Sequence, residues 1–186
     1  MLKKDFKFKI IKNFLSHEEI ILLKDYCRIK HRLNDNHFDF GINNNMDTSY
    51  YADPLTESLM LNKLKILEKE TKLELLPTYS YWRMYTKFAH LQNHLDREAC
   101  EISVTVSIAS DNTLWPIFID GNKIELEHGS AAIYLGCELE HWRETFTGDW
   151  YAQAFLHYVD KNGPYREFAK DNRILYGQKN ISIREI

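Results

Sequence analysis

The chain has no paired cysteine motif. Its three cysteines, Cys27, Cys100 and Cys137, are odd in number and none stands in a C-x-x-C pair, which argues against a disulfide framework or a structural zinc knuckle and fits a reducing compartment. No apolar window reaches membrane-spanning length. Met1-Leu2-Lys3-Lys4-Asp5-Phe6-Lys7 is followed by no continuous apolar stretch of signal-peptide length, so we expect a cytoplasmic protein with no membrane partner. Charge of one sign is also missing. The 24 basic and 27 acidic side chains leave a net charge of −3, and no long basic run supplies the electrostatic footprint of a nucleic-acid binder. There is no internal repeat and no low-complexity stretch.

At 186 residues, 44% apolar and 27% charged, the chain is of a size for one domain with a developed core. Aromatic residues are abundant, with 11 Tyr and 10 Phe, and these suit sheet interiors and pocket walls. Residues 6–15 read as a short strand and turn. Ser16 with Glu19 forms a capping box opening a helix over about 17–29, carried by Ile20, Ile21, Leu22, Leu23, Tyr26 and Cys27. Residues 31–49 are polar and Asn-rich and read as a loop. Asp53-Pro54 caps a second helix running to about Lys72. After Pro77 the pattern changes to short strands: 79–86, 101–109, a hairpin through Asp120-Gly121, 130–136 and 150–159. In 101–109, Ile102, Val104, Val106 and Ile108 alternate with Ser103, Thr105 and Ser107. The expected fold class is α+β, mainly β. Roughly eight strands form a sandwich or jelly-roll barrel with the N-terminal helices packed on one sheet. The single domain 1–186 then divides into a helical support region at about 1–77, a β-barrel core at about 78–160 and a tail at 161–186.

Chemistry enters through a split metal-ligand set. Two imidazoles and one carboxylate can hold Fe(II) on one face and leave the other open. The pattern H-x-D/E is weak alone, because eight His among so many acids make a chance match expected. It occurs three times. His17-Glu18-Glu19 falls in a helix's first turn, where acids favour the dipole. His37-Phe38-Asp39 falls in the Asn-rich loop. His94-Leu95-Asp96 falls where one strand pattern ends and 101–109 begins, and residues i and i+2 of extended chain project to one face. A third ligand must come from a distant strand. His90 is too close, His128 sits in a Glu127-His128-Gly129 turn, and His157 lies within the last strand as a core or supporting histidine. His141, read as ending the strand that starts at Ser130, is best placed to close the site.

With these residues in place, the stretch from Tyr85 through His94-Leu95-Asp96-Arg97, Ser103, Trp115-Pro116, Gly129, Tyr134, Gly136-Cys137-Glu138, His141-Trp142-Arg143 and Phe155-Leu156-His157-Tyr158, with Asn13-Phe14-Leu15-Ser16-His17-Glu18-Glu19 before it, resembles the Fe(II)/2-oxoglutarate-dependent dioxygenases, in their prolyl-4-hydroxylase-like branch. The resemblance covers most of residues 10–160. It implies a double-stranded β-helix, Fe(II) held by His94, Asp96 and His141, and 2-oxoglutarate and O₂ as co-substrates, with ascorbate as an accessory reductant. It also implies hydroxylation of a small-molecule or peptide substrate, such as a prolyl side chain.

One departure stands out. The family places an Arg or Lys about ten residues after the distal His to pair with the far carboxylate of 2-oxoglutarate, and here Trp150-Tyr151-Ala152-Gln153 stands there. A guanidinium fork matches a carboxylate best. Arg143 is the nearest, with Tyr85, Tyr151 and Gln153 as hydrogen-bonding partners; Arg83 is the other choice. The departure keeps alive a β-barrel binding module with an idle metal site. A nucleic-acid demethylase is disfavoured by the acidity of the chain. Tyr50, Tyr51, Trp82, Trp115 and Trp142 are candidates for the pocket wall, against core packing for any one of them.

Overall fold

The computed structural model describes residues 6–33 and 47–178; His37-Phe38-Asp39 and most of the Asn-rich stretch lie outside them. The chain opens with β1 (Phe8–Ile11) and α1 (His17–Leu33). The capping box forms: Ser16 Oγ accepts from the Glu19 amide at 3.2 Å, and Glu19 Oε2 accepts from the Ser16 amide at 2.7 Å. This satisfies amides that a helix start leaves without partners. After β2 (Thr48–Tyr51), α2 (Pro54–Thr71) starts on Asp53, whose Oδ1 accepts from the Leu55 amide at 3.0 Å, and stops at Lys72 in the left-handed region, φ 60°. The β-rich remainder comprises β3 (Leu75–Thr86), β4 (Leu91–His94), β5 (Ile102–Ser110), β6 (Ile117–Ile119) and β7 (Asn122–Ile124). It continues through β8 (Ala131–Leu135), β9 (His141–Arg143) and β10 (Trp150–Asp160). A 3₁₀ turn, Glu98–Cys100, precedes β5, and another 3₁₀ segment, Arg166–Asn172, follows β10. Asp120 and Gly121 both take positive φ, 49° and 74°, as the two-residue β6–β7 hairpin turn requires.

Two antiparallel sheets result, with orders β1-β8-β5-β10-β3-β2 and β4-β9-β6-β7. They make a jelly-roll double-stranded β-helix with the helices packed on the larger sheet. There are ten strands among the described residues rather than about eight. Two expectations are corrected. The stretch 31–49, read as a loop, begins inside α1, which runs to Leu33, and ends inside β2, which starts at Thr48. His141 does not end the strand begun at Ser130. That strand stops at Leu135, a turn in which the Glu138 and Leu139 amides donate to the Leu135 carbonyl (3.1 and 3.0 Å) reverses the chain, and His141 opens β9 in the opposite sheet. The turn is needed because β8 pairs with β1 and β5, whereas His141 must face His94.

The alternation in β5 sorts its two sides. Ile102, Val104, Val106 and Ile108 are fully buried in one cluster with Phe14, Leu23, Cys27, Met60 and Leu67. Each such side chain stabilises the fold by about 1.5–3 kcal/mol. The opposite face, Ser103, Thr105 and Ser107, is equally buried. It points not to solvent but into the space between the sheets, where the candidate site lies. No helix among the described residues is long and apolar enough to cross a membrane.

Candidate metal centre

The end of β4, the segment after it and the start of β9 bring His94, Asp96 and His141 together, through direct register between His94 and His141. One ligand atom from each lies within 4.8 Å of the other two. Asp96 Oδ1 is 3.5 Å from His94 Nε2 and 3.5 Å from His141 Nε2. Atoms coordinated in adjacent positions at ~2.1 Å from an ion are about 3 Å apart, so a small closure suffices to seat a cation. The tautomers suit this. His94 Nδ1 bonds the Gln92 carbonyl at 2.8 Å and His141 Nδ1 the Leu139 carbonyl at 2.9 Å. A carbonyl can only accept, so Nδ1 carries the proton, and in the neutral ring that binds a metal each Nε2 presents a lone pair inward. His141 is buried and packed edge-on against Tyr134 at 4.9 Å, while His94 and Asp96 are half-buried. The centre is therefore open on the His94 side.

Charge follows geometry. Burial alone would raise the Asp96 pKa, but with no metal bound the Nε2 atoms of His141 and His94, where they carry a second ring proton, bond to it, and together with the nearby His157 they hold it well below the ordinary carboxylate range. The bond to Asp96 raises His94, against the opposing effect of burial. Burial pushes His157 down to about 4, leaving it neutral.

Deeper in the barrel lies Arg143, which shares the inner face of β9 with His141, about 7 Å further along at ~3.3 Å per residue. It is 2% exposed. Its guanidinium lies 4.5 Å from the Trp115 ring centre and 5.3 Å from that of Tyr151, donates one bond to the Trp115 carbonyl, and keeps Nε buried without a partner. Among the described residues no carboxylate forms an ion pair with it. Tyr85 packs on Trp115 at 4.8 Å. Tyr151 donates to Ser107 Oγ at 2.8 Å. Gln153 donates to Thr105 Oγ1 and leaves its Oε1 buried and unpaired. Arg83 differs, since Asp47 lies 3.5 Å from its Nε. Of the two arginines, only Arg143 is buried without an acid.

Not every pocket-wall candidate faces this space. Trp82 and Tyr50 stack at 5.0 Å on the helix side, where Tyr26 meets Trp82. Trp142 stacks on Phe118, opposite to its neighbours His141 and Arg143, because alternation along a strand reverses direction. Trp115 does enclose Arg143, and Tyr51 packs on Tyr79 at 5.0 Å. Reasoning from spacing gave no role to the groups that grip Asp96. Ser103 Oγ donates to Asp96 Oδ2 at 2.6 Å, and the Gly136 carbonyl accepts from the Asp96 amide at 2.9 Å. The alternation of β5 put Ser103 on its polar face, and the sequence carried no signal that a second sheet covers that face.

No protein-family model and no curated protein matches the chain. Solved structures do. A prolyl-4-hydroxylase from Pseudomonas putida superposes with a TM-score of 0.66 at 15% identity, over 84% of this chain and 94% of that one. A 2OG-Fe(II) oxygenase family oxidoreductase from Burkholderia pseudomallei gives 0.63 at 13% identity, over 88% and 89%. HygX from Streptomyces hygroscopicus, with nickel and 2-oxoglutarate bound, gives 0.65 at 11% identity, over 84% and 83%. At such identities the likeness is one of fold, the double-stranded β-helix.

Proposed function

We propose that the chain is a non-haem Fe(II)- and 2-oxoglutarate-dependent dioxygenase, acting as one domain over 1–186, that hydroxylates an amino-acid or peptidyl side chain such as proline. The observation that carries the reading is a pair of features in one barrel. Two inward Nε2 atoms and one carboxylate oxygen converge, and a buried guanidinium free of any acid among the described residues stands two positions deeper. A buried cation costs several kcal/mol unless an anion meets it. Arg143 therefore fits the far carboxylate of a short keto diacid whose other end reaches the metal ligands. This favours an oxygenase over a module with an idle site.

In this role His94, Asp96 and His141 would hold Fe(II). With 2-oxoglutarate and O₂ the bound metal supplies oxidative decarboxylation of the keto acid to succinate and CO₂, coupled to hydroxylation of a C–H bond. The chain's own groups orient and enclose. The Gln92 and Leu139 carbonyls fix the two imidazoles. Arg143 sets the direction of the diacid, with Tyr85, Tyr151 and Gln153 around it. Trp115 and Phe146 form part of the buried aromatic cluster with Tyr85 and Tyr151 that excludes water from the deep end. The prolyl-4-hydroxylase likeness supports an amino-acid side chain as substrate. The three cysteines, all free, fit a cytoplasmic setting. Incubation with Fe(II), ascorbate and 2-oxoglutarate, together with prolyl peptides and free amino acids, tests the reading. Succinate should form with the wild type and not with His94→Ala or Asp96→Ala; succinate at equal rates from the variants would refute it.

A further inference from the structure

Asp96, Cys100 and His157 also place one O, one S and one N ligand atom within 4.8 Å of one another. This set is filled rather than open. The Ser103 hydroxyl stands among them, 2.6 Å from Asp96 Oδ2, 3.1 Å from His157 Nδ1 and 3.2 Å from the Cys100 carbonyl. A serine hydroxyl has a single proton to give. Asp96 Oδ2 and the Cys100 oxygen both compete for it, and so would His157 Nδ1 if that nitrogen were bare. Where the proton goes is decided by the tautomer of a neutral, buried imidazole.

We propose that His157 is a positioning residue for Asp96, acting through Ser103. Its Nδ1–H donates to Ser103 Oγ and so commits the Ser103 proton to Asp96 Oδ2, the charge-assisted and shorter of the two remaining bonds. Asp96 Oδ2 is then held away from the centre, and Oδ1 alone faces His94 and His141. A carboxylate released from Ser103 is free to turn, so that Oδ1 is no longer held towards His94 and His141 and must be ordered on metal binding, which costs affinity. The ring of His157 packs against Tyr79, tilted by 36° with centroids 4.6 Å apart, and Tyr79 is held in turn by its hydroxyl contact with Cys100 Sγ at 3.1 Å and by Arg97 over its face at 4.6 Å. The chain of contacts joins β10, β5 and the segment bearing Asp96. The inference rests on the reading of Asp96 as a metal ligand.

The test is titration of the metal-free protein with Co(II), followed by its visible absorption, with circular dichroism confirming the fold of each variant. Ser103→Ala, His157→Leu and His157→Gln should each weaken Co(II) binding by about 10–100-fold, the range for loss of a group that orients a ligand, whereas His157→Asn should stay within about threefold. Asn can place an amide N–H where Nδ1–H stood, and Gln places its amide near Nε2. His157→Leu added to Ser103→Ala should cost nothing more. Unchanged affinity in His157→Leu or His157→Gln, equal losses in Asn and Gln, or additive losses in the double variant would overturn the proposal. If the wild type itself fails to bind Co(II), or binds it undiminished in Asp96→Ala, the metal reading falls and this inference with it. If the wild type binds and Asp96→Ala does not, the histidine and serine variants decide the inference alone.

Discussion

Gly136→Ala would place one methyl group against the metal ligand. Gly136 stands in the turn after β8, its amide donating to the Glu101 carbonyl at 3.1 Å and its carbonyl accepting from Asp96. A Cβ there would lie 2.5 Å from Asp96 Oδ2 and 2.5 Å from Ser103 Oγ, and would also collide with the Cys100 carbonyl oxygen. Comfortable contact needs ~3.5 Å, so each approach is short by roughly 1 Å. The Cys100 oxygen belongs to backbone at the end of a 3₁₀ turn and yields little, so the Asp96 carboxylate and the Ser103 hydroxyl must move. Overpacking of this kind costs about 1–3 kcal/mol, which in a domain of this size lowers Tm by roughly 2–12 °C. Displacing a ligand and its partner should weaken metal binding about 10–100-fold. Thermal melts with Co(II) titration read both effects. Gly148→Ala is the control. Its Cβ would be as crowded, 2.6 Å from Phe146 and from Thr113, but remote from Asp96. It should lower Tm and leave metal affinity unchanged. Wild-type affinity in Gly136→Ala, or equal losses in both variants, would refute the reasoning.

Other consequences can be measured as directly. Arg143→Gln should raise the apparent KM for 2-oxoglutarate by about 30-fold or more, the equivalent of ~2 kcal/mol for breaking a buried charge pair; Arg83→Gln, which breaks a contact with Asp47, should change it little, and the reverse pattern would move the anchor to Arg83. In the metal-free protein, the depressed His157 pKa makes the unfolded chain bind a proton that the folded chain does not. The resulting stability is full above ~6.5 and lost as pH falls towards 4, about 3 kcal/mol in all. Urea melts at pH 7 and pH 4.5 should show a smaller loss in His157→Asn, and equal losses would refute this account. Arg173→Ala leaves the equally buried Glu57, 2.5 Å away, with the Gly177 amide but without its charge partner, and should cost about 3–5 kcal/mol in chemical denaturation; a cost under ~1 kcal/mol would show the pair to be solvated.

The helices were legible because their starts are local chemistry. Ser16 with Glu19, and Asp53 with Pro54, cap amides a few residues away, and both form as read. The β5 alternation was legible as a strand, but not as a boundary between the helix-packed core and the site, since Ser103, Thr105 and Ser107 look like a solvent face until a second sheet covers them. Strands β4 and β9 were not legible. Each has only four and three residues respectively, too few for a period, and they exist because His94 pairs with His141 and Leu91 with Arg143 across the sheet. Placing His141 at the end of the Ser130 strand failed for the same reason: reversal at 136–140 depends on which sheet the next strand joins. His94 and Asp96 could be singled out because two ligands share one short stretch. Ser103, Gly136 and His157 reach Asp96 from three separate segments, and their meeting is a product of tertiary structure.

The most direct test is a crystal grown without oxygen, with Mn(II) and 2-oxoglutarate, examined by anomalous scattering at the manganese edge. The account predicts one peak bounded by His94 Nε2, Asp96 Oδ1 and His141 Nε2, with the far carboxylate of the keto acid on the Arg143 guanidinium. A peak elsewhere, or none between these three side chains at saturating metal, would contradict it.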